Sequence, residues 1–328
     1  MHRLMTISIE SWPIAGSFRI SRGSKTAADI VMVTLTEEGV IGRGECVPYP
    51  HYGESIESVV TELRKILPGV QNGLGRLELQ EAMPAGAARN ALDCAFWDLE
   101  AKRSGTPVWQ LAGLQEPRPI ETAYTLGFDP LDEFREKALA AADRPILKLK
   151  VGGDGTDVAR VAILRNAAPD ARIIVDANEA WGDYVMSSTT EAHSLLRVAM
   201  IEQPLPPGKD KTLRGKQTHV PLCADESAHT TADLEKLVGL YDYVNIKLDK
   251  AGGLTAALKM AERARALEFK LMVGCMVGTS LSMAPAFLVA QSAEFADLDG
   301  PLLLAADRAP GMRYEGSLVY PPPAALWG

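Results

Sequence analysis

Eight short apolar runs at a near-constant interval constrain this chain more than any other feature. They read as strands over 121–126, 145–151, 172–177, 199–204, 221–226, 243–248, 270–275 and 295–300. Helical patterns separate them, and the repeat is roughly 25 residues, which suits a strand, a loop and a helix. Eight such units in a row predict a (β/α)8-type barrel. A doubly wound open sheet is the alternative, but it would usually stop sooner.

The first 118 residues differ in texture. Strand patterns at 5–11, 30–36 and 41–46 read as an antiparallel meander, with a turn at Glu38-Gly39. A polar, basic loop is expected at 18–25. A Pro- and aromatic-rich stretch at 47–54 suits a lid. Its Tyr49, His51 and Tyr52 would exclude water or pack the first domain onto the barrel. Helical patterns follow at 55–67, 76–83 and 87–102, the last with Leu92, Ala95, Phe96 and Leu99 as an apolar stripe. Strands followed by helices predict a separate α+β domain over 1–118. The barrel would occupy 119–300. Residues 301–328 add no further βα unit and are expected to return to the first domain.

Composition narrows the function. A net charge of −8 disfavours nucleic acid and anionic membrane as partners. Cys46, Cys94, Cys223 and Cys275 lack metal-type spacing, and the first three read as reduced core thiols of a cytoplasmic protein. No signal-peptide pattern and no membrane-length apolar run is present. His2, His193, His219 and His229 read as structural or exposed.

Catalytic residues of such barrels sit at the C-terminal ends of strands. Three consecutive strands end there on an acid: Asp176, Glu202 and Asp225. Buried carboxylates without partners are costly, so three that converge call for a cation. The donors are hard oxygens with no His or Cys among them. That points to Mg2+, one per subunit, with Mn2+ as a substitute. The plainer alternative pairs each acid with its own structural Arg or Lys. Asn178 shares a face with Asp176 and reads as its support. Glu226 points away by alternation and reads as an ion-pair partner.

The second strand carries Lys148 and Lys150 on one face. Two ammonium groups in a buried strand repel each other and resist desolvation, so both pKa values are expected to fall towards neutrality. Lys247 ends the sixth strand, four places round the ring from the second. Lys150 and Lys247 should therefore face each other across the mouth. A metal-held carboxylate acidifies its α-carbon, and a base on each side permits racemisation or epimerisation by 1,1-proton transfer. Lys148 would tune Lys150 and touch the substrate carboxylate. Lys250 and Lys259 read as surface residues. Asp297 and Asp299 share a face at the last strand, and two carboxylates there invite an ammonium group.

Lys148-x-Lys150, Asp176-Ala-Asn178, Glu202-Gln-Pro, Asp225-Glu-Ser and Asn245-Ile-Lys247, in this order, resemble the enolase superfamily, specifically its muconate-lactonizing subgroup. The resemblance covers essentially the whole chain. It implies a (β/α)7β-type TIM barrel with an N-terminal α+β capping domain, the last helix being absent or displaced. The Asp297-x-Asp299 pair resembles the motif of the dipeptide epimerases in that subgroup, those acting on L-Ala-D/L-Glu. Ser21-Arg22-Gly23-Ser24 and the stretch 84–99 do so as well. The resemblance implies an isomerase with a dipeptide substrate, suited to turnover of cell-wall peptides. Thr125 would hydrogen-bond the substrate. Arg22 would grip an acidic side chain, with Lys25 and Arg19 as alternatives. An N-acylamino acid racemase, or an enzyme like o-succinylbenzoate synthase, is the rival on the same scaffold. A barrel that binds metal and ligand without turnover is a third reading. A homo-oligomer is left open.

Overall fold

The computed structural model of the protein describes residues 3–20, 23–216 and 218–328. The chain opens with a long hairpin, β1 (Leu4–Ile20) and β2 (Gly23–Glu37), and β3 (Val40–Cys46) pairs antiparallel with β2. Glu38 and Gly39 turn β2 into β3 with φ of 53° and 82°, a left-handed pair that suits a tight hairpin. The stretch expected as a loop at 18–25 is instead the hairpin tip. Phe18 pairs with Lys25, Arg19 with Ser24 and Ile20 with Gly23. The carbonyl of Arg19 accepts from the N–H of Phe128 at 2.8 Å, which rests this tip on the barrel. Ser21 and Arg22 lie outside the described residues.

Three helices follow: α1 (Ile56–Gln71), α2 (Arg76–Ala82) and α3 (Ala87–Ser104). The predicted stripe of α3 is buried against the sheet. Gly42 and Gly44 let it lie close to β3, because a Cβ at either would run into the α3 backbone. The opposite side of α3 is the foot of this domain on the barrel. Arg89 donates to the carbonyls of Ala251 and Gly252 at 2.8 and 3.0 Å. Asp93 accepts from the N–H of Thr255 at 2.9 Å.

The barrel strands run in sequence order. A short β4 (Ile120–Glu121) precedes them. They are β5 (Tyr124–Leu126), β6 (Ile146–Lys150), β7 (Arg172–Asp176), β8 (Val198–Glu202), β9 (Leu222–Ala224), β10 (Tyr243–Ile246), β11 (Lys270–Gly274) and β12 (Phe295–Asp297). All eight expected strands are present. The first is split, since β4 leaves the ring to pair elsewhere. A parallel bridge between Thr122 and Ala296 closes the circle, with Ala123 donating to Ala296 at 2.8 Å. After β12 the chain makes one helical turn, Gly300–Leu303, where an eighth barrel helix would stand.

Layering inside the ring explains where the chemistry falls. One residue from each strand fills the centre: Ala123, Ile146, Ile174, Met200, Cys223, Tyr243, Met272 and Phe295. Strand side chains repeat with period two, so the next inward layer lies two residues further on. That layer is Thr125, Lys148, Asp176, Glu202, Asp225, Asn245, Gly274 and Asp297. An apolar plug thus supports a charged floor.

The C-terminal segment forms β13 (Tyr314–Glu315) and β14 (Leu318–Val319), which pair with β4. It then reaches the first domain. Arg43 donates to the carbonyls of Ala325 and Leu326, each at 2.8 Å. Trp327 donates to Cys94 at 3.0 Å. Among the described residues no helix is long and apolar enough to cross a membrane.

Candidate active site

A cavity of about 510 Å3 lies over the charged floor, roofed by the hairpin tip and the segment after β3. Thr125, Lys148, Lys150, Asn178, Lys247, Asp297 and Asp299 all line it, as does Asp225. Asp176 and Glu202 lie beneath, with no exposed surface. Parallel pairing holds them level: Lys150 is in register with Asp176, and Asp176 with Glu202.

Lys148 is the hub of the floor. Its Nζ lies 2.8 Å from Asp297, 2.7 Å from Glu202 and 3.0 Å from Asp176. Burial opposes its charge, yet Asp297, Glu202 and Asp176 together outweigh burial and hold it well above the usual lysine range. The expected fall towards neutrality is therefore reversed at Lys148. Three carboxylates in its own layer decide the matter, not the neighbouring ammonium. Lys150 reaches Asp176 at 2.6 Å and Lys247 reaches Asp225 at 2.7 Å. Lys247 is also driven up, because Asp225 overcomes burial. Asp176 and Asp225 are held below the usual carboxylate range, since their lysines outweigh burial.

Lys250, expected at the surface, is buried. It donates to Asp225 Oδ1 at 2.6 Å and to the carbonyls of Asp225 and Asn245 at 2.5 and 3.0 Å. The signal was available: Lys250 follows Lys247 by three residues in the turn Leu248–Ala251, so both face Asp225. Lys259 is exposed as expected. Glu226 also departs from expectation. It lines the cavity, because β9 ends at Ala224 and strand alternation no longer applies to it. Asn178 supports Asp176 through its backbone N–H at 3.0 Å, while its side chain donates to Glu226 at 3.4 Å. Asn245, named in the sequence pattern without a role, donates to Glu202 at 2.7 Å. Gly274 makes room for it, since a Cβ there would meet the Asn245 amide at 2.8 Å and Lys247 Cε at 3.1 Å.

Thr125 ties the far wall together. Its N–H donates to Asp299 at 2.6 Å and its hydroxyl to Asp297 at 3.3 Å. Burial and then Asp297 push the Asp299 carboxyl up to about 7. Over the mouth, His51 meets Glu179 at 2.9 Å, and the Tyr52 ring packs edge-on against His229 at 4.4 Å. Lys25 lines the cavity and sits 5.4 Å over the Tyr49 ring.

The donor set fits a hard divalent cation. Among the described residues no three acidic, His or Cys side chains are grouped closely enough to hold a metal as they stand. The reason is that lysine ammonium groups lie between the carboxylates. The charges are nonetheless unequal. Lys148, Lys150, Lys247 and Lys250 are buried with Asp176, Glu202, Asp225, Glu226, Asp297 and Asp299, which leaves two negative charges in excess. Glu202 carries part of that strain: burial, then Asp176, pushes its carboxyl up to about 7. Lys247, held protonated by Asp225, gives up its proton more readily once another cation engages that carboxylate. Asp176, Glu202 and Asp225 have the hard oxygen donors for that cation.

Comparison with known proteins agrees with this architecture. Residues 3–113 match the family described as "Mandelate racemase / muconate lactonizing enzyme, N-terminal domain", and residues 133–319 match "Enolase C-terminal domain-like". The chain is 45% identical over 314 residues to the L-Ala-D/L-Glu epimerase of Escherichia coli (strain K12), covering 95% of this chain and 98% of that protein. It is 43% identical to an N-acetyl-D-glutamate racemase of a Pseudoalteromonas species, covering 91% and 95%. A crystal structure of an enolase family member from Agrobacterium tumefaciens, with bound sodium and L-Ala-L-Glu, superposes with a TM-score of 0.97 at 52% identity, covering 99% and 100%. A dipeptide epimerase from Enterococcus faecalis V583, complexed with Mg and L-Leu-L-Tyr, superposes with a TM-score of 0.90 at 28% identity, covering 98% of each chain. The capped barrel, the residues at its strand ends and these matches place the chain in the enolase superfamily, as a member of its mandelate racemase and muconate lactonizing group.

Proposed function

We propose that the protein is a dipeptide epimerase that inverts the α-carbon of the C-terminal residue, with L-Ala-D-Glu and L-Ala-L-Glu as its substrate pair. One observation carries the reading. Lys150 and Lys247 rise from strands on opposite sides of the ring into a single cavity, and the wall beyond them holds Asp297 and Asp299. The relatives named above support the substrate class.

Asp176, Glu202 and Asp225 would hold a divalent metal, Mg2+ by the precedent of the related dipeptide complex, which would take the substrate carboxylate and offset the charge that builds on it. The remaining work falls to side chains of this chain. One of Lys150 and Lys247 removes the α-proton, and the other delivers a proton to the opposite face. Lys148 stays cationic and holds Asp297 in place. Asp297 and Asp299 receive the substrate ammonium, with Thr125 fixing both carboxylates. Arg22 is the proposed partner for the glutamate side chain. Lys25 is the hairpin-tip cation that lines the cavity among the described residues.

Proton exchange tests this. In D2O the wild-type protein with Mg2+ should place deuterium at the α-position of the C-terminal residue, read by proton NMR. Lys150→Ala and Lys247→Ala should each lower epimerisation by at least about 100-fold, the contribution of a positioned acid or base. Near-normal turnover by either variant would remove the two-base assignment.

The similarity to an N-acetyl-D-glutamate racemase motivates a second reading, racemisation of N-acylamino acids. Such substrates have no ammonium group. Asp299→Asn separates the two, since Asp299 is held by Thr125 rather than by Lys148. On a dipeptide it should raise KM roughly tenfold or more, the loss of a charge-assisted hydrogen bond. On N-acetyl-D-glutamate it should leave KM nearly unchanged.

A further inference from the structure

A second cavity, about 220 Å3, lies behind the amine end of the first. The two share part of their lining: Phe18, Thr125 and Leu303 belong to both. We propose that Phe18 and Leu303 form a partition that limits the side chain of the substrate's N-terminal residue, and that the second cavity is the space a larger apolar side chain would enter. The inference rests on the dipeptide reading above.

The geometry follows from covalent proximity. An ammonium group on Asp297 and Asp299 sits one bond from the α-carbon, and the side chain begins one bond further on. That side chain must therefore lie against the walls nearest the two aspartates. Thr125 is such a wall, since it bonds both carboxylates and also faces the second cavity. Leu303 belongs to the Gly300–Leu303 turn, which follows Asp299 directly. Phe18 comes from the other side. It packs with the buried cluster of Ile14, Ala28 and Leu304. It also stands just past the break in β1–β2 register between Pro13 and Phe18. Such a break bends a strand and re-aims its side chains.

The space beyond is mixed in character: Leu126, Ala140, Ala141 and Leu302 give it an apolar side, and Asp129, Lys137 and Arg144 a charged one. Its charges are engaged already: Lys137 pairs with Asp129 at 2.6 Å. Arg144 lies 4.7 Å over the Tyr124 ring and donates to the carbonyl of Gly316. With the partition intact, a small N-terminal residue such as Ala fits the main cavity, and a branched one meets Phe18 and Leu303.

The experiment compares kcat/KM for L-Leu-D-Glu with that for L-Ala-D-Glu, by α-proton exchange in D2O. Leu303→Ala and Phe18→Ala should each raise the Leu-to-Ala ratio at least about tenfold, the scale on which an apolar pocket discriminates single carbon groups. Leu302→Ala, which alters the second cavity alone, should leave the ratio within about twofold of wild type. Leu303→Phe, which thickens the wall, should lower it, and this arm still reads if the alanine variants fold poorly. An unmoved ratio in Leu303→Ala and Phe18→Ala, or an equal rise in Leu302→Ala, overturns the partition while dipeptide epimerisation stands. Absence of exchange by the wild-type protein on any dipeptide removes the epimerase reading, and the partition with it.

Discussion

At the scale of single residues, charge and burial decide most of what the site can do. Lys148 and Lys250 show the limit of reading residues one at a time. A lysine pair in a buried strand predicts depressed pKa values, but Lys148 is raised because three carboxylates from other strands share its layer. Lys250 looks like a solvated charge until Asp225 is placed beside it. Asp93 supports a prediction away from the chemistry. Burial pushes its carboxyl up to about 6, and it accepts from Gln80 and from Thr255 at 2.9 Å each. Its folded-state pKa lies above the unfolded value, so the folded protein holds this proton more tightly. Stability contributed by the protonated form is present below the unfolded pKa and is lost as pH rises towards 6. The stability of wild type relative to Asp93→Asn should fall by about 2 kcal/mol between pH 4 and pH 7. Urea unfolding at several pH values measures it, and a flat difference would contradict the assignment.

At the scale of elements, strand periodicity was the most legible signal. The apolar plug and the charged floor are two residues apart along the barrel strands, and this period puts Lys148, Asp176 and Glu202 on the inner face. The signal failed where strands end. Glu226 and Asn178 lie beyond β9 and β7, where backbone geometry, not pleat, aims the side chain. The φ of 43° at Asn178 is one sign of this. The hairpin tip departs from expectation for a different reason. Its polar, basic composition suits a loop, whereas its pairing is sustained by backbone bonds and by support from the barrel. The contact of α3 with β3 yields a further prediction. A Cβ at Gly44 would strike the α3 backbone at Ala91, which cannot move aside as a flexible side chain can. Gly44→Ala should destabilise the first domain by about 3 kcal/mol. It should also reduce kcat/KM, since β3 leads directly into the segment over the cavity. Denaturant unfolding and steady-state kinetics on one preparation check both.

At the scale of the whole molecule, the site is assembled by three parts of the chain far apart in sequence. The barrel supplies the floor, the first domain supplies the roof, and the C-terminal segment clasps the two. Trp327 is buried against α3, its indole N–H on the Cys94 carbonyl, and the N–H of Gly328 meets Asp98 at 2.7 Å. Trp327→Ala should cost about 3–5 kcal/mol of stability. Thermal and urea unfolding of the full chain provide the measurement.

By itself the sequence determined the strand count, the inner and outer faces, and the residue types at each strand end. These are local, periodic properties, and local sterics enforce them. The closure of the ring, the four lysines interleaved with six carboxylates, the burial of Lys250 and the lining that two cavities share were decided only by tertiary structure. They depend on which strand ends become neighbours and how far each side chain reaches, and electrostatic energy depends on those distances rather than on positions along the chain.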